Sequence, residues 1–230
     1  MKKMWISKIA AMAAIGVVTV SGSACAEEKE NSMMIFRPYS DAEYARVNGL
    51  EYETEEETQE ETEEEEKSSI IFVGDSRIVG MASNIGGYYY IAKTAQGYDW
   101  LVNTALAQTE SAMAEYPDAP VVFCLGVNDL GNIDSYISCY QDLIDRYPDR
   151  SIYFLSVMPV DDEQAQQQGY LVENDEIAAF NDALEAAFPD QYLDIYYYMQ
   201  VNGFAATDGV HYDGGTYAMI QDYVQYMVLK

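Results

Sequence analysis

Residues 70–230 are expected to form one α/β domain of three layers, α/β/α, around a parallel sheet of about five strands. Two observations predict this. Short, almost wholly apolar runs alternate with longer stretches of helical periodicity, the pattern of strands buried on both faces. Three of the helical stretches stop just before a proline, at Pro117, Pro148 and Pro189, and proline after a helical pattern is a stop signal.

The first strand is Ile70-Ile71-Phe72-Val73, ending at Gly74, with a helix beginning near Arg77. Tyr88 to Ala92 is the second, and Val121 to Leu125, ending at Gly126, the third. Ile152 to Ser156 is the fourth, and Tyr192 to Tyr196 is a weaker fifth. Between them, Asp99 to Tyr116 carries Leu101, Ala105, Leu106 and Met113 at helical spacing. Ile133 to Tyr147 and Asn174 to Phe188 follow, the latter with Ile177, Phe180, Leu184 and Phe188 on one face, and Thr216 to Val228 closes the chain. No internal repeat is visible.

The first 69 residues are expected to lie outside this domain. Residues 1–26 read as an export signal: Lys2, Lys3 and Lys8, an apolar run from Ile9 to Val20, then small residues from Ser21 to Ala26. The run is shorter than the roughly 20 residues that span a bilayer. An uncleaved membrane anchor is the alternative. Ala24-Cys25-Ala26 fits a small-x-small cleavage site, while Gly22-Ser23-Ala24-Cys25 resembles a lipoprotein box in which Cys25 would be lipidated. Gly22 stands where such boxes usually have a branched apolar residue. Residues 27–69 read as an acidic disordered linker, because Glu51 to Glu66 has too little apolar surface to offset the entropy of ordering. It would serve as a spacer or simply as a solubilising segment. Within it, Ile35, Phe36, Tyr39 and Tyr44 make residues 33–50 apolar enough to pack somewhere.

The chain carries 39 acidic and 12 basic residues, a formal net charge of −27. Such a surface repels phosphate backbones and anionic lipid heads, so nucleic-acid binding through a basic patch is excluded as an expectation. Neutral or cationic partners are favoured. Three cysteines, one of them in the export segment, make no disulfide framework. Cys124 reads as a buried thiol and Cys139 as an ordinary helix residue.

Three short blocks carry chemistry. Gly74-Asp75-Ser76-Arg77 follows the first strand and puts Ser76 at a helix N-terminus, where backbone N–H groups favour developing negative charge. Its alternative reading is a helix cap. Gly126-Val127-Asn128-Asp129 follows the third strand, as turn chemistry or as an amide donor at Asn128. Asp208-Gly209-Val210-His211 precedes the last helix and holds the single histidine of the chain. A serine hydroxyl needs a base to act as a nucleophile, and His211 is the one histidine that could supply it. Asp208, three residues earlier, could orient the imidazole from the same turn.

In this order the blocks resemble the SGNH (GDSL-type) hydrolase superfamily, over nearly the whole domain. The resemblance implies a flavodoxin-like strand order and a serine esterase with Ser76 as nucleophile, His211 as base and Asp208 as orienting acid. It implies an oxyanion hole of the Ser76 N–H, the Gly97 N–H in Ala95-Gln96-Gly97-Tyr98, and Asn128, with Gly86 and Gly87 less suited by position. The substrate would be a small-molecule or polysaccharide ester, such as an acetyl ester on the carbohydrate or cell-wall polymer that an exported enzyme meets. An O-acyltransferase with the same triad and a non-catalytic surface binding module are the rival readings. Arg77 departs from the apolar residue many members have there, and it is expected to contact an anionic group on the substrate or to pair with acids on the helix surface. Trp100, Tyr98 and Tyr212 are the expected rim residues, though most of the 21 tyrosines should be core. No cofactor is implied: one histidine without paired cysteines leaves no transition-metal set, and no phosphate-binding glycine loop is present.

Overall fold

A computed structural model describes residues 70–229 and the backbone strand Met34–Phe36. The expected export segment, Cys25 and the acidic run lie outside the described residues. Met34–Phe36, within the expected linker, forms strand β1.

The parallel strands are β2 (Ile71–Gly74), β3 (Tyr89–Ala92), β4 (Val121–Cys124), β5 (Ile152–Leu155) and β6 (Tyr192–Leu193). Their order is β1-β3-β2-β4-β5-β6, with β1 antiparallel on the edge strand β3, Met34 opposite Ala92. Without β1 this is the flavodoxin-like order. The chain leaves β2 first toward β3 and then crosses back to β4, so the crevice opens beside the carboxyl end of β2, the place where such sheets hold their sites.

Side chains alternate across the pleat. Ile71, Val73, Val121, Phe123 and Phe154 face one layer, formed by α2 (Leu106–Glu115), α3 (Ile133–Arg146) and α5 (Asn174–Ala187). Ile70, Phe72, Val122, Cys124 and Leu155 face the other, formed by α1 (Ser76–Asn84), α6 (Ile195–Asn202) and α7 (Gly214–Val228). The first layer is aromatic: Tyr140 stacks on Phe154 with ring centroids 4.2 Å apart, and Phe188 closes on Phe154 at 4.7 Å. A short helix, α4 (Asp162–Gln167), joins β5 to α5. The helical stretch from Tyr98 runs through a single turn and a π-helical turn, Leu101–Ala105, before α2.

One expected strand is shorter than its pattern. Tyr192 to Tyr196 alternates as a strand, but Asp194 accepts a hydrogen bond from Tyr197 N at 3.0 Å and starts α6. Ile195 and Met199, four residues apart, then bury on one helix face. Among the described residues no helix is long and apolar enough to cross a membrane.

Candidate active site

Strand β2 passes into α1 through Gly74 and Asp75. A Cβ on Gly74 would lie 2.3 Å from Ile78 Cγ1 and 2.8 Å from the Cys124 carbonyl oxygen, so the sharp turn needs glycine. Asp75 caps α1, accepting from Arg77 N at 2.9 Å. Ser76 is thereby the first residue of α1, half-buried, with its hydroxyl directed away from the sheet toward His211.

His211 and Asp208 sit in the loop between α6 and α7. Thr207 N donates to the His211 carbonyl at 2.7 Å, and Ala206 bridges Tyr212, closing the loop on itself. Gly209 stands at φ 93°, a left-handed conformation, with α4 so close that a Cβ would lie 2.2 Å from Ala165 N. This turn lets Asp208 Oδ1 accept from Val210 N at 3.0 Å and from His211 N at 2.8 Å. Its other oxygen, Oδ2, lies 2.7 Å from His211 Nδ1. Partial burial pushes the Asp208 carboxyl up, but the N–H donors and the imidazole outweigh it and hold the group at about 2. An ionised Oδ2 directs the ring proton to Nδ1, which leaves Nε2 as acceptor for Ser76 Oγ at 2.8 Å.

Two cross-links join the loop after β3 to the loop after β4. Asn128 Nδ2 donates to the Gln96 carbonyl at 2.8 Å, and Asp129 Oδ2 accepts from Tyr98 N at 2.7 Å. Asp129 is held further by the Tyr136 hydroxyl at 2.8 Å and by Asn132 Nδ2 at 3.0 Å. Gly97 lies directly against this carboxylate. Asn128 and Ser76 both line a cleft of about 570 Å³, and Gly97 is not among the residues that line it. An amide nitrogen has two hydrogens, so Asn128 can be oriented by Gln96 and still offer one to the cleft. Ala95, on the cleft wall, takes φ 54°, an unusual strain for a residue with a Cβ.

The three expected substrate contacts are corrected by burial. Arg77 is 1% exposed. Its Nη1 donates to the Met158 carbonyl at 3.0 Å and its Nε is 3.6 Å from Asp75 Oδ1, both inside the protein. Burial would lower its pKa, but Asp75 and the Tyr212 hydroxyl overcome this and raise it. Tyr212 is 3% exposed, and its hydroxyl donates to the Pro159 carbonyl at 2.5 Å. Trp100 is 6% exposed and belongs to the core on the α2 side. Tyr98 packs edge-on against Tyr136. None of these reaches the cleft.

The cleft wall comes instead from Val127, Leu130, Tyr170, Leu171, Val172 and Glu176. Apart from Val127, which lies inside the Gly126–Asp129 block, no motif marked them. The usable signal was Tyr170-Leu171-Val172 itself, an apolar trio in a stretch otherwise rich in Gln, Glu and Asp. Leu171 is 93% exposed on this wall. Among the described residues no group of three or more His, Cys, Asp or Glu could hold a metal ion.

Comparison with known proteins agrees with the architecture. No protein-family model matches the chain, and no curated protein matches it in sequence. Solved structures do. One is described as a provisional platelet activating factor from Streptococcus pneumonia, at TM-score 0.54 and 18% identity, covering 73% of this chain and 86% of that one. Another, a provisionally named acylhydrolase from Bacteroides fragilis, matches at TM-score 0.52 and 17% identity, over 82% of this chain and 95% of its own. The chain therefore has a three-layer α/β/α fold with a flavodoxin-like strand order, and it shares this fold with these two structures.

Proposed function

We propose that the protein is a serine carboxylic ester hydrolase that works by two-step acyl transfer. The observation that carries this reading is the continuous hydrogen-bonded series from Ser76 Oγ to His211 Nε2 at 2.8 Å and from His211 Nδ1 to Asp208 Oδ2 at 2.7 Å, opening on a cleft. His211 takes the proton of Ser76 as the hydroxyl oxygen attacks the ester carbonyl. The imidazolium so formed is stabilised by Asp208 and then protonates the leaving alcohol. Water, activated by the same imidazole, releases the acyl group and regenerates Ser76. The tetrahedral oxyanion is received by the Ser76 N–H at the start of α1 and by Asn128 Nδ2.

The cleft suits short acyl esters of neutral or cationic alcohols. Its wall is largely apolar and its charged members, Asp129 and Glu176, are acids. The finer reading is an exported enzyme, secreted or anchored through Cys25, that removes acetyl groups from carbohydrate or cell-wall polymers. It rests on the sequence of residues 1–26 and on the acidic surface. A fluorophosphonate probe tests the core of the proposal. Intact-protein mass and peptide mapping should find one adduct, on Ser76, and none in His211→Ala. Absence of labelling in the wild type contradicts an activated serine.

A further inference from the structure

The segment from Asp162 to Glu173 forms an arm that touches the candidate site twice, once at the cleft and once at the Asp208–His211 pair. Its two ends are clasped together: Asp162 Oδ1 accepts from Asn174 N at 3.0 Å and Oδ2 from Asn174 Nδ2 at 2.9 Å. Asn174 is also bonded both ways to Val160, Nδ2 donating to its carbonyl at 2.7 Å and Oδ1 accepting from its N–H at 3.0 Å. The arm is bound to the histidine loop along its length. Asp161 N donates to the Gly209 carbonyl at 2.9 Å, and Gln164 Nε2 to the Thr207 carbonyl at 3.0 Å. At its tip Tyr170 N returns to the Ala165 carbonyl at 3.0 Å, which aims the phenol at the site.

The Tyr170 hydroxyl donates to Asp208 Oδ2 at 3.1 Å, the same oxygen that lies 2.7 Å from His211 Nδ1. Its ring meets the imidazole edge-on, with centroids 6.4 Å apart. Leu171 and Val172, the next two residues, are cleft wall. We propose that Tyr170 is a positioning residue for the Asp208–His211 pair, holding the carboxylate that orients the base. Both Asp208 oxygens are then fully used, Oδ1 by the backbone of its own turn and Oδ2 by the imidazole and the phenol, so the carboxylate has one orientation. Tyr170 is 38% exposed and outside the core, so its bond to Asp208 is not needed to hold the sheet together.

This inference rests on the proposed hydrolase for its kinetic readout but not for its spectroscopic one. The chain has a single histidine, so its low-field Nδ1 proton resonance reports on this site alone. The groups facing that ring are Asp208 from its own loop, Ser76 from α1 and Tyr170 from the arm, with Asp129 and Glu176 across the cleft. The full chain is compared with Tyr170→Phe and Leu171→Ala by proton NMR and by p-nitrophenyl acetate hydrolysis against pH. Tyr170→Phe should displace the Nδ1 resonance, lower kcat about tenfold with KM within about twofold, and move the acid limb of the pH profile upward. The limb moves up because a carboxylate that has lost a donor holds the imidazolium proton more strongly. Leu171→Ala should leave the resonance and the limb in place. A resonance and a limb unmoved in Tyr170→Phe overturn the proposal, even if kcat falls, since lost cleft packing alone does that. A wild type without Ser76-dependent hydrolysis defeats the hydrolase reading, and the resonance still decides the role of Tyr170.

Discussion

Gly97 rests on the carboxylate of Asp129 so closely that a Cβ at residue 97 would lie 2.3 Å from Oδ2. The same carboxylate holds Tyr98 N, and the neighbouring Asn128 holds the Gln96 carbonyl. The loop after β3 and the loop after β4 are therefore one unit, and its fit depends on a missing side chain. Gly97→Ala should push the loops apart, destabilise the protein by about 1–3 kcal/mol and lower kcat by displacing Asn128. Urea unfolding and steady-state kinetics on the same preparation check both effects. Unchanged stability and rate would mean that the contact relaxes freely.

Asn128→Ala removes the amide without touching the packing of Gly97 on Asp129. An oxyanion donor of this kind contributes about 10²–10³ in kcat. The expected result is a loss of that size with little change in KM. Asn128 is exposed, so the unfolding midpoint should stay close to that of the wild type.

Arg77 and Asp75 form a buried pair beneath the nucleophile, and the Met158 and Pro159 carbonyls and the Tyr212 hydroxyl complete the cluster. The residue after Ser76 is thus packed against the residue after His211. Arg77→Ala leaves Asp75 buried and uncompensated, which costs about 3–5 kcal/mol. Arg77→Lys should recover only part of this, because a point charge cannot reproduce the guanidinium fork. The ratio of kcat/KM between neutral and anionic esters should not change in Arg77→Lys. A shift of that ratio toward neutral esters would restore the role in substrate binding that burial contradicts.

The pH dependence of stability follows Asp208. Asp208 titrates at about 2 in the folded protein, below the ordinary carboxyl value of 3.8. A depressed carboxylate contributes stability above its unfolded pKa and loses it as pH falls through the folded one. The difference in unfolding midpoint between wild type and Asp208→Asn should therefore be constant above pH 5 and shrink between pH 4 and 2, roughly the window that linkage sets. Asp208 is ionised throughout the neutral range, so its bond to His211 Nδ1 keeps its charge there.

The sheet was legible because its strands are buried on both faces and are read as continuous apolar runs. Ile70 to Val73 ending at Gly74 is the clearest case. Ser76, Asp208 and His211 were legible because each stands in a short block whose turn chemistry is local. Residues whose position depends on distant partners were not. Arg77 reads as a surface charge until the Met158 carbonyl and Tyr212, brought in by β5 and the last loop, enclose it. Trp100 and Tyr212 carry amphipathic rings that suit a rim or a core equally well, and only the packing of α2 and α7 decides. Tyr192 to Tyr196 reads as a strand, and the cap at Asp194 turns Ile195 and Tyr196 into helix. Tyr170 belongs to no motif, and its approach to Asp208 follows from the clasp between Asp162 and Asn174.

The most direct measurement is hydrolysis of p-nitrophenyl acetate by the full chain beside Ser76→Ala, with circular dichroism to show that both fold alike. Hydrolysis in the wild type that falls to the uncatalysed background in Ser76→Ala is the predicted result. Equal rates in the two proteins would contradict a nucleophilic Ser76, and with it the ester hydrolase.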